Sequence, residues 1–236
     1  VDPTRHNAWN TGDEALILAR AAPTVVSVDR VAGAVLAIRD GTDVIVMDDG
    51  LQNPGIAKDV KIVVINGEMG FGNGRMMPAG PLRQPLDEGL AAADAFILIG
   101  DDRRNAAALL PAGKPLFRAR LEPTAGQLPP REKRYLAFAG LGYPEKFFDF
   151  LREVISYDVV ETVRFADHYP YTEKDVADLA DRAHAIQASL LTTEKDYMRL
   201  PKMPGVEIFT VPITLRWEDE SALLVFLQSR MPAKEP

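Results

Sequence analysis

The sequence predicts an α/β protein, and three observations carry that expectation. Helix-like and strand-like segments alternate along all 236 residues. The strand-like segments are short apolar runs rich in β-branched residues. Hydrophobic residues make up 47% of the chain, enough for one large core or two modest ones. The most informative run is Asp43-Val44-Ile45-Val46-Met47-Asp48-Asp49-Gly50, which reads as a strand buried on both faces and ending in two carboxylates. In open α/β sheets ligands bind beyond the carboxyl ends of the strands. Adjacent acids repel and are costly to bury without a cation or donors. A hydrated Mg²⁺ beside a nucleotide phosphate resolves that conflict; a solvated strand end leading into a turn is the simpler alternative.

Taken in order, the opening Val1–Asn10 is polar and irregular. Thr11-Gly12-Asp13-Glu14 fits a capping box in which Thr11 caps a helix and Glu14 reaches back, the helix running to about Ala22 before Pro23. Asp13 falls in the first turn, where the helix dipole favours a carboxylate, so capping is its ordinary explanation. Thr24–Val28 reads as a strand, and Asp29 as the cap of a helix over Arg30–Asp40 that Gly41 ends. After Asp43–Met47 comes a strand over Val60–Ile65, then a loop from Gly67 to Pro85 containing Gly70, Gly72, Gly74, Gly80, Phe71, Arg75 and Arg83. A loop of that length inside a compact domain is usually functional. Its glycines let backbone amides approach an anion and its arginines offer bidentate forks, against the alternative of a surface excursion.

A helix over Leu86–Ala93, a strand over Ala95–Ile99, a helix over Arg103–Leu110 and a strand over Leu116–Leu121 follow. Three prolines and a cluster of charge between Glu122 and Lys133 mark a domain boundary. The alternation then restarts with a strand at Tyr135–Ala139, a helix from Pro144 and a strand at Val159–Phe165. Thr172-x-x-Asp175 caps a helix with the stripe Val176, Leu179, Ala180, Ala183 and Ile186. A strand at Leu190–Thr193, one or two strands in Val206–Val211 and Ile213–Trp217, and a helix from Asp219 complete the chain. The expected division is a first domain at 1–122, a linker at 123–133 and a second domain at 134–236.

A formal charge of −7 and a pI near 5.1 give no electrostatic case for nucleic acid. The absence of cysteine excludes disulfides, thiol nucleophiles and thiolate metal sites. No apolar run approaches the ~18 residues of a membrane span, and no signal peptide is visible. The first residue is Val rather than Met, so the chain reads as a fragment or a processed product. Of three histidines, His184 lies within a predicted helix and reads as structural, and His6 sits in the irregular opening. His168 follows a strand beside Asp167, which suits a general acid or base, or the partner of a carboxylate, and equally suits a surface loop residue. The phosphate cradle G-x-x-x-x-G-K-[ST] occurs nowhere in these residues, and Gly140-Leu141-Gly142 does not complete a dinucleotide fingerprint. Residue-level reasoning therefore stops at an α/β enzyme or binding protein with a carboxylate–metal site.

Several stretches together resemble one family, the tetraacyldisaccharide 4′-kinases (lipid A 4′-kinases). These are Val1-Asp2-Pro3 with His6, Gly12-Asp13-Glu14, Asp48-Asp49-Gly50-Leu51-Gln52, Gly70-Phe71-Gly72-Asn73-Gly74-Arg75 with Pro78-Ala79-Gly80-Pro81-Leu82-Arg83, Phe165-Ala166-Asp167-His168, and Thr192-Thr193-Glu194-Lys195-Asp196. Each is weak singly; in this order they span nearly the whole chain. The resemblance implies two Rossmann-like α/β/α domains joined by a β-ribbon linker, the first a P-loop NTPase-like domain that is incomplete here. It implies transfer of the γ-phosphoryl group of ATP, with Mg²⁺, to the 4′-hydroxyl of a tetraacylated glucosamine disaccharide 1-phosphate. The enzyme would act at the surface of the bacterial inner membrane, on its cytosolic face.

Carried over by resemblance, Asp48 and Asp49 look like the metal-handling acids, with Gln84 at a third metal-side position. Asp13 looks like the family's catalytic Asp, paired with His168; Asp49 also counts among the catalytic residues, and Arg83 looks like a charge-stabilising one. Asp167, Gln52, Asn53 and Arg75 look like substrate- or nucleotide-binding residues. Three departures stand out: the family's P-loop would precede Val1, Asn53 stands where the family usually has His, and Gln84 where it usually has Glu. The chain alone is accordingly expected not to be a working kinase. The alternatives are a non-catalytic remnant that binds acylated sugar or a partner, and a related P-loop or nucleotide-sugar enzyme.

Overall fold

The computed structural model describes residues 1–231. The fold is α/β with parallel sheets, as the sequence predicts, and the described residues pack into two compact units: Val1–Gly41 with Pro123–Ile213, and Thr42–Glu122 with 214–231. These bounds differ from the predicted 1–122 and 134–236 at both ends. The first forty residues pack with the later segment, and the C-terminal helix returns to the earlier one.

The first unit is built on a parallel sheet of order β5-β4-β6-β7, from β4 (Arg134–Ala139), β5 (Asp158–Arg164), β6 (Ser189–Thr193) and β7 (Ile208–Val211). Successive strand side chains point to opposite faces, and the unbroken apolar run Tyr135–Ala139 feeds both. Tyr135, Ala137 and Ala139 pack with Phe148 of α5 (Glu145–Asp149) and with Leu151 of the π-helical turn Phe150–Val154. Leu136 and Phe138 pack with Leu179 and Ala183 of α6 (Glu173–Ala185). The capping box predicted for α6 is present: Thr172 Oγ1 accepts the Asp175 N–H, and Asp175 accepts the Thr172 N–H. Segment 123–133 is held to this core by tyrosines, since Tyr157 donates to Pro129 O at 2.7 Å and Tyr135 to Pro130 O at 2.6 Å. Burial raises both phenols above the ordinary tyrosine value, Tyr135 well above it. The same unit holds α1 (Ala8–Thr11), α2 (Asp13–Ala21), α3 (Arg30–Arg39) and α7 (Glu194–Tyr197).

The second unit contains β1 (Ile62–Asn66), β2 (Ala95–Ile99) and β3 (Leu116–Pro123), mutually parallel, with β8 (Ile213–Trp217) beside β3. One face packs Ile65, Phe96 and Leu98 with Leu90 of α4 (Leu86–Ala92) and with Phe71 of the Gly-rich loop. The other packs Ala95 and Phe117 with Leu223 and Phe226 of α8 (Glu220–Arg230), whose cap Asp219 is the predicted one.

Four local expectations fail, each for a physical reason. Thr24–Val28 and Asp43–Met47 form no strand, and Val28 and Val46 are almost fully exposed. Among the described residues neither segment has a strand neighbour, and a β-branched run without a ladder partner has no reason to extend. The Thr11 capping box is absent: Thr11 ends α1, whose own box is made by Asn7 and Asn10, and Gly12 stands at the start of α2 without a side-chain cap. Arg103–Leu110 shortens to a 3₁₀ turn at Ala106–Leu109, because the Asp102 carboxylate accepts the N–H groups of Ala106 and Ala107 and Asn105 turns left-handed. Those bonds, the Ala107 one first, hold the Asp102 carboxyl below its usual value.

Candidate active site

The predicted site residues fall in both units. Asp13, Asp167 and His168 belong to the first; Asp48, Asp49, Gln52, Asn53, Arg75, Arg83 and Gln84 belong to the second.

Asp13 opens α2 and is 8% exposed. Its Oδ1 accepts the Glu14 N–H at 3.0 Å, so part of its role is to satisfy the helix start that Gly12 leaves uncapped. Its Oδ2 faces His168 Nδ1 at 3.6 Å. His168 sits in the left-handed region at φ 54°, uncommon for a side chain with a Cβ, in a turn held by its N–H to Gly140 O at 3.2 Å and by Tyr169 N–H to Ala166 O at 3.1 Å. The imidazole is half exposed, and Asp167 Oδ1 lies 4.0 Å from its Nε2. A buried carboxylate thus stands behind an accessible imidazole, an arrangement suited to moving a proton.

Behind the pair lies a closed polar cluster to which the sequence reading assigned no role. Asp196, fully buried, accepts from the Gly140 N–H at 2.9 Å, Tyr171 Oη at 2.9 Å, Thr193 Oγ1 at 2.7 Å and Arg199 Nη2 at 2.6 Å. Burial, and then the Asp196 charge, drive the Tyr171 phenol far above its ordinary value. Arg199 Nε faces Asp13 Oδ2 at 3.3 Å. The helix α2 is also tied to α7 at the surface, by Lys195 to Glu14 at 2.8 Å and Arg20 to Glu194 at 3.8 Å. Asp196 stands in the Thr192–Asp196 motif, and Arg199 lies three residues on, so that motif was the available signal.

In the second unit Asp48 and Asp49 lie in an exposed turn after Met47. The turn is tight: a Cβ on Gly50 would meet Met47 Cβ at 2.7 Å, and Asp49 adopts φ 52°. Arg83 donates from Nη1 to Asp49 Oδ2, bringing together two residues 34 apart in sequence. Gln52 is exposed in the same turn region. Asn53 closes it, its N–H reaching Gly50 O at 3.1 Å and its Oδ1 accepting the Gly55 N–H at 2.9 Å. The Gly-rich loop is ordered by its own backbone: Met77 N–H bonds Leu82 O at 2.8 Å, Leu82 N–H bonds Arg75 O at 3.1 Å, and Asn73 bridges Arg75 N–H and Ala79 O. Arg75 is exposed on this frame, and the Gln84 side chain lies against Gly89 of α4. Two adjacent carboxylates with phosphate oxygens and water completing the shell form a donor set that Mg²⁺ accepts. Among the described residues no group of three or more His, Cys, Asp or Glu side chains gathers as a metal site.

A family model described as tetraacyldisaccharide-1-P 4′-kinase matches residues 1–232. The tetraacyldisaccharide 4′-kinase of Rhodospirillum centenum is 46% identical over 236 residues, covering 100% of this chain and 70% of that protein. The enzyme of the same name from Gluconacetobacter diazotrophicus is 48% identical over 224 residues, covering 94% of this chain and 68% of that protein. Among solved structures, the LpxK of Aquifex aeolicus in complex with ATP superposes with a TM-score of 0.74 at 25% identity, covering 97% of this chain and 71% of that one. Agreement in sequence over the whole chain and in fold with a solved relative has one meaning: the chain belongs to the tetraacyldisaccharide-1-phosphate 4′-kinase family.

Proposed function

We propose that the full-length protein transfers the γ-phosphoryl group of ATP to the 4′-hydroxyl of a tetraacylated glucosamine disaccharide 1-phosphate, with Asp13 and His168 handling the hydroxyl proton. The observation that carries the assignment of residues is the buried Asp13 carboxylate facing the half-exposed His168 imidazole at 3.6 Å. Phosphoryl transfer asks little covalent chemistry of the protein; it asks for positioning and for charge where charge develops. Asp13, supported by His168, accepts the proton as the hydroxyl oxygen attacks. Arg83 stabilises the charge that develops on the transferred group, and its pairing with Asp49 keeps it aimed before substrate arrives. Asp48 and Asp49, with Gln84, which follows Arg83 in the sequence, would hold Mg²⁺, which when bound neutralises phosphate charge. Asp167, Gln52, Asn53 and Arg75 bind substrate or nucleotide.

An acylated substrate places the work at a membrane surface, here the cytosolic face of the bacterial inner membrane, with the protein peripheral and no nucleic acid as partner. Among the described residues no helix is long and apolar enough to cross a membrane.

The reading is tested in the full-length protein by Asp13→Ala and His168→Ala. Each should lower kcat by on the order of 10²–10⁴, the usual contribution of a positioned acid or base. The double variant should cost little more than the worse single one, because groups acting as a unit are non-additive. Wild-type turnover in Asp13→Ala would remove the carboxylate from the mechanism, and additive losses would show that the two act independently.

A further inference from the structure

We propose that Arg199 is the positioning residue of the Asp13–His168 pair, fixing the Asp13 carboxylate relative to the turn that carries His168. This rests on the reading of Asp13 and His168 given above. The Arg199 side chain is 8% exposed, and its terminal nitrogens are committed. Nη2 donates to Gly140 O at 3.0 Å and to Asp196 Oδ1 at 2.6 Å, and Nη1 to Tyr169 O at 3.3 Å. Gly140 O is the same carbonyl that accepts the His168 N–H, and Tyr169 is the next residue after His168. The guanidinium therefore grips the His168 turn from both sides.

What remains is Nε, which points at Asp13 Oδ2 from 3.3 Å. A guanidinium is planar and its donors keep a fixed fork, so anchoring two nitrogens fixes the third. Asp13 Oδ2 and Arg199 Nε are both closed to solvent, yet neither completes an aligned hydrogen bond among the described residues. Buried polar atoms are rarely left so, and functional sites are where exceptions gather. Oδ2 is held in place by charge, facing Arg199 Nε and His168 Nδ1, without an aligned hydrogen bond to either, so its acceptor sites stay uncommitted. Asp196, braced by Gly140, Tyr171 and Thr193, keeps the guanidinium from turning.

The test compares Arg199→Lys, Asp13→Asn and the double variant in the full-length protein, with thermal melts of each. Lysine keeps the charge but lacks the planar fork. Arg199→Lys should melt cooperatively and lower kcat by about 10–100-fold with KM for both substrates changed by less than about 2-fold, as expected of lost orientation. In the Asp13→Asn background the same change should cost less than about 2-fold, because residues acting through one group do not add. An equal loss in both backgrounds, or no loss in the first, would overturn the positioning role. If Asp13→Asn itself keeps wild-type turnover, the reading of Asp13 fails and takes the role of Arg199 with it. Should Arg199→Lys not fold, Asp196→Asn, which keeps the side-chain shape while loosening the grip on Arg199, is measured in the same two backgrounds against the same outcomes.

Discussion

Tyr171 donates to an Asp196 that has no exposed surface and accepts from three other donors besides. Tyr171→Phe removes one donor from a buried charge while keeping the ring packed on Phe138, and should cost ~1–3 kcal/mol of stability. The pH dependence has a definite sign. The folded-state value of this phenol is raised, by burial first and Asp196 second, so its contribution is complete below the ordinary value of 10.0 and is lost as pH rises beyond it. Thermal melts from pH 8 upward should therefore fall less steeply in Tyr171→Phe than in the parent; parallel curves would refute the linkage. At this scale the sequence was legible only in part. His168 was visible as a candidate because its residue type and its neighbour Asp167 suit proton transfer, whereas Asp13 read as a helix cap until the family resemblance paired it with His168. Arg199 was signalled only by its place three residues after the Thr192–Asp196 motif, because its other contacts reach back to Asp13, Gly140 and Tyr169, and no local pattern joins positions so far apart.

The Gly67–Pro85 loop shows how an irregular element can be exact without being regular. At Gly80 a Cβ would lie 2.1 Å from Asn73 Oδ1 and 2.3 Å from Arg75 O, and the second contact is backbone that must move. Asn73 and Arg75 O are the loop's own fasteners, so Gly80→Ala should shift the segment that carries Arg83. A misplacement of about 1 Å costs roughly 10²-fold in rate, and we expect that loss in kcat with little change in melting temperature, since most of the loop lies outside the core. A wild-type rate would detach the loop from catalysis. The elements the sequence predicted well are those whose partners lie within their own sheet. Tyr135–Ala139 was recognisable because a run buried on both faces has no polar positions to obscure it. Thr24–Val28 and Asp43–Met47 have the same composition and form no strand, since pairing is a property of neighbours.

For the molecule as a whole, the predicted domain bounds followed composition, whereas contacts follow long returns: α2 and α3 belong with strands formed a hundred residues later. Proline and charge at 123–133 could mark a change of unit but could not reveal which earlier segment rejoins it. The 236 residues contain no G-x-x-x-x-G-K-[ST] cradle, whose amides, lysine and hydroxyl supply much of the phosphate grip in P-loop enzymes. The isolated chain should accordingly show neither tight ATP binding by calorimetry nor turnover of the acylated disaccharide, and either result would relocate the nucleotide site. The exposed valines of each unit, Val26 and Val28 in the first and Val44 and Val46 in the second, should also make the chain self-associate, a property light scattering reports. The tie between α2 and α7 has a further consequence for synthesis. Glu14 and Lys195 are separated by 181 positions. At translation rates of 5–20 residues per second the ribosome takes ~10–40 s to deliver the second after the first. Arg199, which faces Asp13 Oδ2, lies later still, so the surroundings that bury this carboxylate can be complete only once Arg199 has been made.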